Sequence, residues 1–96
     1  MRGPEGKFQD TVASWLRGKG CRVVKNDPSL GRQKGIPDLT FFKDGMWGML
    51  EVKASKNASK QPGQKEWVKW ANENSYGAFV YPENWAKIRK ELEVML

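Results

Sequence analysis

Apolar residues recur at three- and four-residue intervals at the start of the chain, at Phe8, Val12, Trp15 and Leu16, until Gly18 and Gly20 interrupt them. That spacing predicts an amphipathic helix from Glu5 to Gly18, ended by the glycines. Cys21 to Lys25 reads as a short strand, and 26–35 as a loop rich in Gly, Pro, Asn and basic residues. Two apolar runs follow, Leu39 to Phe42 and Met46 to Leu50, joined through Lys43 by Asp44-Gly45. An Asp-Gly pair between apolar runs is a strong hairpin signal, because both central residues of a type I′ turn need positive φ. Further on, Ser59 is placed to cap a second helix with Pro62 in its first turn, Trp67, Trp70 and Ala71 on its apolar side and Gly77 at its close. Ala78 to Tyr81 predicts a fourth strand, and Trp85, Ile88, Leu92 and Met95 form the apolar stripe of a third helix after Pro82.

The expected order is helix, three strands, helix, strand, helix. Helices with one apolar stripe and strands apolar on both faces imply an α/β fold, its sheet covered on two sides. The last strand is expected to run parallel to a neighbour, through the crossover of the second helix. Strand order is left open by the sequence.

Counting back from the turn brings chemistry into the picture. With Asp44-Gly45 at the tip, Lys43 pairs with Met46, Phe42 with Trp47, Phe41 with Gly48, Thr40 with Met49, Leu39 with Leu50, and Asp38 with Glu51. Facing side chains have Cβ atoms roughly 4.5–5.5 Å apart, and like charges there are destabilising. Lys53, two residues beyond Glu51, shares its face and is one neutralising partner. A hard dication such as Mg²⁺ is another. A longer turn that slips the register would instead separate the acids.

Written out, the segment is Gly35-Ile36-Pro37-Asp38, then Glu51-Val52-Lys53-Ala54 thirteen positions after the aspartate, followed by Ser59-Lys60-Gln61-Pro62-Gly63-Gln64-Lys65-Glu66-Trp67. This resembles the PD-(D/E)XK nuclease superfamily and, within it, the stand-alone VRR-NUC (virus-type replication and repair nuclease) branch. The resemblance spans nearly the whole chain, from about Glu5 to the last helix. It implies a restriction-endonuclease-like core, a mixed four-stranded sheet flanked by helices in the order αβββαβα, and Mg²⁺, with Mn²⁺ able to substitute, as cofactor. Asp38, Glu51 and the backbone carbonyl of Val52 are the implied metal ligands, with Glu5 of the first helix as a further acid reaching the metal shell. An acid in a first helical turn is equally what the helix dipole favours. Lys53 is the implied catalytic cation, as base or as electrostatic clamp; a plain ion pair with Glu51 is the alternative. Gln64 matches the glutamine that opens the second helix in the family, where it would bind phosphate or position water. Gln61 is second choice there, and Asp10 is a weaker acid candidate than Glu5.

Composition fits this expectation without establishing it. The 96 residues carry 17 Lys and Arg against 11 Asp and Glu, a net charge of +6 that favours a polyanionic partner. Arg32, Lys34, Lys56 and Lys60 bracket the acids and could track a phosphate backbone, although ordinary soluble surfaces look similar. One domain over 1–96 is expected, small enough for a partner subunit to help its core. The single cysteine, Cys21, cannot form an internal disulfide and suggests a buried thiol in a reducing compartment. Four tryptophans, Trp15, Trp67, Trp70 and Trp85, are assigned to core or interface, and Trp47 to the strand face beside Phe42. No apolar run has the length of a membrane span or secretory signal, so a soluble, cytoplasmic protein of a bacterial or phage-infected cell is expected. The resulting expectation is a structure-selective, homodimeric DNA endonuclease, acting first on four-way (Holliday) junctions. The alternatives are a flap or nicking nuclease of replication and repair, and a basic DNA-binding module without catalysis.

Overall fold

In the computed structural model, residues 3–26 and 34–96 are described. Helix α1 (Pro4–Gly18) leads into strand β1 (Arg22–Lys25); the hairpin strands are β2 (Leu39–Lys43) and β3 (Met46–Val52). Helix α2 (Pro62–Asn74), strand β4 (Tyr76–Val80), a 3₁₀ turn (Pro82–Asn84) and helix α3 (Trp85–Met95) complete the chain. The strands lie in the order β1-β2-β3-β4, antiparallel except for β3 and β4, which run parallel through the α2 crossover. The result is a compact α/β domain, a mixed four-stranded sheet with three helices. Every expected pair from Lys43 with Met46 to Leu39 with Leu50 is present. Asp44 at φ 50° and Gly45 at φ 82° make the turn that this register requires.

Alternation along the hairpin sorts its side chains. Leu39, Phe41, Leu50 and Val52 turn to one face, where they pack with Val12, Ala13 and Leu16 of α1 and Ile88 and Leu92 of α3. Phe41 lies over its partner Gly48, where a Cβ would come within 2.3 Å of the ring. The opposite face carries Thr40, Phe42, Trp47, Met49, Glu51 and Lys53.

Helix α2 covers the β3 and β4 side of that opposite face and differs from expectation in three respects. Its cap is Gln61, not Ser59: Pro62 occupies the first helical position, and Gln61 and Gln64 form a reciprocal capping box. Gly77 belongs to β4 rather than to the helix end, since a Cβ there would stand 2.5 Å from the Val68 carbonyl oxygen and 2.8 Å from Asn72 N. Helix and strand backbones therefore touch, leaving no space for an indole between them. Val68 and Ala71 form the buried side, and Trp70 is pushed out to 49% exposure. The sheet is also not fully covered, because Val24 of β1 and Phe42 of β2 are 48% and 46% exposed.

The other expected tryptophan positions divide. Trp85 is buried and Trp15 packs partly buried against it, ring centroids 5.4 Å apart. Cys21 is buried, which raises its thiol pKa. Among the described residues, no helix is long and apolar enough to cross a membrane.

Candidate active site

The hairpin register carries Asp38 and Glu51 to the rim of the α2 face. Asp38 stands one residue before β2, and its chain is fixed from the β1 side. The Asn26 N–H donates to the Asp38 carbonyl at 2.8 Å, while the Asn26 amide donates to the Pro37 carbonyl at 2.9 Å and to Thr40 Oγ1 at 3.0 Å. Gly35, at φ 81°, rests on α2, where a Cβ would meet the Gly63 carbonyl carbon at 2.5 Å. Both ends of the segment bearing Asp38 are thus fastened by backbone-scale contacts. The Asp38 carboxylate in turn accepts the Val52 N–H at 2.9 Å through Oδ2, and a hydrogen bond from the Gln9 amide of α1.

Glu51 and Lys53 are buried, at 4% and 9% exposure. Gln64 holds both. Its Nε2 donates to Glu51 Oε2 at 3.0 Å, and its Oε1 accepts Lys53 Nζ at 3.0 Å and the Gln61 N–H at 3.0 Å. Lys53 Nζ also lies 3.5 Å from Glu51 Oε2. An amide oxygen has two lone pairs, so the acceptor of Gln64 is fully used, leaving at most its second amide hydrogen for a substrate. The same side chain therefore caps the helix and sets the Glu51–Lys53 geometry.

The electrostatics leave one conspicuous deficit. Burial, followed by the charge of Asp38, pushes the Glu51 carboxyl up to about 7 against the opposing pull of Lys53 and of the Asp38 backbone N–H. Burial also raises the Asp38 carboxyl, with the charge of Glu5 adding to it while the Val52 N–H, Lys53 and Gln9 oppose. Two acids facing one ammonium carry an uncompensated negative charge when ionised. Glu51 Oε1, moreover, is buried with no hydrogen-bond partner. Buried carboxylate oxygens without partners are rare, and a bound cation would satisfy this one.

The donor chemistry fits a hard cation: carboxylate oxygens from β3 and from the residue that enters β2, one of them unsatisfied. Among the described residues, no three acid, His or Cys side chains converge, so Glu5 does not complete a three-acid cluster with Asp38 and Glu51. Glu5 lies exposed in the first turn of α1, not on its buried side, and acts on Asp38 through its charge. Asp10 pairs with Lys25 at 2.8 Å on the surface.

The expected cations occupy different settings. Lys34 is exposed beside Gly35. Lys56 presents its backbone N–H to the Glu83 carboxylate, 3.2 Å from each oxygen, with its side chain at the exposed surface. Lys60 Nζ lies over the Phe79 and Tyr81 rings, 5.4 and 5.6 Å from their centroids. Arg32 lies outside the described residues. Two contributors escaped the sequence reading. Gln9 could have been found by its i+4 spacing from Glu5, whereas no local pattern marks Asn26 as the residue that folds back on Pro37 and Thr40. No protein-family model, curated protein or solved structure matches the chain.

Proposed function

We propose that this chain is a metal-dependent DNA endonuclease of the PD-(D/E)XK type, of the VRR-NUC branch and with a restriction-endonuclease-like core, selective for branched DNA. The observation that carries the reading is the unpartnered, buried Glu51 Oε1 beside Asp38 and Lys53. A purely structural ion pair has no need of a second, partly buried carboxylate, whose charge makes Glu51 harder to ionise.

Asp38, Glu51 and the Val52 carbonyl are the groups that would hold Mg²⁺ or Mn²⁺, with Glu5 adding negative charge from α1. When bound, the dication supplies Lewis acidity and charge neutralisation at a scissile phosphate. Lys53, locked by Gln64, places a cation where negative charge grows on the phosphoryl oxygens as water attacks. Gln64 acts chiefly as the residue that positions Lys53 and Glu51. Lys34, Lys56 and Lys60, with Arg32, provide contacts to the DNA backbone and orient the strand without reading sequence.

Four-way junctions are the leading substrate, cut by a symmetric homodimer. One chain carries one candidate site, resolution needs paired cuts, and a two-fold dimer offers two equivalent sites. The deciding experiment is cleavage of labelled four-way, flap, nicked and linear duplexes with Mg²⁺, Mn²⁺ or chelator. Cleavage of branched forms, abolished by chelator and by Asp38→Asn or Glu51→Gln with DNA binding retained, is expected. Cleavage that survives chelation would refute the reading. Light scattering at twice the monomer mass, and nicking without resolution when active and Glu51→Gln subunits are mixed, are expected of the dimer.

A further inference from the structure

The face of the sheet that carries Glu51 and Lys53 continues, away from them, into a half-exposed aromatic surface that neither the core nor the site uses. Trp47 and Met49 alternate with Gly48 and Leu50 along β3, so both share the face of Glu51. Phe42 is the cross-strand partner of Trp47. Beside them on α2, the Trp70 ring sits 5.6 Å from Trp47 at 34° and 5.9 Å from Trp67 at 83°. Trp70 is thus half exposed yet held between two other indoles. A ring ordered in advance loses little conformational freedom when something stacks on it.

Charge selects the occupant. Arg22 and Lys43 line, with Phe42 and Trp47, a concavity of about 440 Å³ whose acidic lining residue is Asp44 at the turn. Lys43 belongs to the other side of β2, with Leu39 and Phe41, and reaches the rim of this concavity by lying over Gly20, its Cε 3.4 Å from the place a Cβ would take. A second copy of a chain with net charge +6 would bring further cations to Arg22 and Lys43, whereas a polyanion would be attracted. Glu66, which lines the neighbouring 290 Å³ concavity with Trp67 and Trp70, disfavours a phosphate at that point and leaves a neutral, flat group as the fitting part. Flat neutral faces joined by a chain of negative charges describe an unpaired nucleic-acid strand.

We infer that Phe42, Trp47 and Trp70, with Arg22 beside them and Lys43 at the rim, form a stacking platform for unpaired bases of a DNA strand. Met49, between Trp47 and Glu51 on β3, is 6% exposed beneath α2, so the platform is a separate part of this face from the Glu51 site. The platform stands by itself as a single-strand site; taken with the nuclease reading, it favours, among branched DNAs, those with a single-stranded arm.

The test is binding of a short labelled oligothymidine and a blunt duplex to the full chain in chelator, where nothing can be cut. Binding should quench tryptophan fluorescence. Trp70→Ala and Phe42→Ala should each weaken oligothymidine binding about 10-fold, within the range for loss of one base stack, with duplex binding unchanged and Trp70→Phe close to wild type. Phe42 decides the matter if Trp70→Ala loses the native circular dichroism spectrum. Wild-type affinity in the folded variants, or equal losses for duplex and single strand, would overturn the platform. So would a change of oligomeric mass without a change in binding, which would make a second copy the occupant. Single-strand binding as expected with no substrate cut in Mg²⁺ or Mn²⁺ would remove the nuclease and keep the platform; cleavage with unaffected variants would do the reverse.

Discussion

In metal-free protein, Glu51→Gln is expected to remove most of a destabilisation that appears as pH rises. The Glu51 carboxyl moves from its ordinary 4.5 to about 7 on folding, and each unit corresponds to 1.36 kcal/mol. The ceiling is therefore about 3 kcal/mol, and a working figure after partial solvent screening is about 2 kcal/mol. The folded state binds this proton more tightly than the unfolded chain, so stability is highest below pH 4.5 and falls as pH rises through about 7. Asp38, shifted in the same direction, contributes a fall of the same sign in both proteins. Absolute stabilities are a poor readout, because the substitution also takes an ion-pair partner from Lys53. The quantity to compare is the change between pH 5 and pH 8 in urea unfolding with chelator, followed by tryptophan fluorescence. Wild type should lose about 2 kcal/mol more than Glu51→Gln over that interval, equivalent to roughly 10 °C in Tm for a domain of this size. Parallel pH dependences would refute the claim that Glu51 is held against its charge. Mg²⁺ at pH 8 should restore stability to wild type only.

Other expectations follow for individual residues. Lys53→Ala should lower turnover by orders of magnitude with little change in DNA affinity, whereas Arg32→Ala or Lys60→Ala should weaken binding and flatten its salt dependence; equal effects in cleavage and titration assays would remove Lys53 from catalysis. Gln64→Ala should reduce turnover less than Lys53→Ala, since it displaces the lysine without deleting it. Gly77→Ala should destabilise by about 1–3 kcal/mol in urea melts, because its Cβ would overlap the α2 backbone; wild-type stability would show that helix and strand can separate freely. Cys21 should resist thiol reagents in the native protein and react on unfolding, as buried thiols with raised pKa do.

What could be read from the sequence was what is local. The hairpin register followed from Asp44-Gly45 because a two-residue turn leaves no freedom in pairing, and that register set Glu51 and Lys53 on one face. The α2 packing could not be read in the same way. Apolar spacing ranks Trp67 and Trp70 with Ala71, and only the backbone contact at Gly77 decides that Val68 and Ala71 go inward and Trp70 outward. Similarly, Gln64 is visible as a helix-start residue, but its three bonds to Glu51, Lys53 and Gln61 depend on the angle at which α2 meets β3. Asn26 joins the site through contacts distant in sequence, for which no period exists, whereas the helical spacing of Gln9 from Glu5 was there to be read.

The two-residue turn also makes the site a question of parity. Cross-strand partners remain partners only if any residue added to β2 is matched by one added to β3, so the interval of 13 positions from Asp38 to Glu51 can change only in steps of two. An odd insertion within β3 would rotate Glu51 and Lys53 into the packed layer beneath and bring Leu50 and Val52 out to the rim. Length along this hairpin therefore constrains the site as strictly as the identity of its acids, and a chain that builds the same pair on the same two-residue turn should carry an odd spacing even where every intervening residue differs.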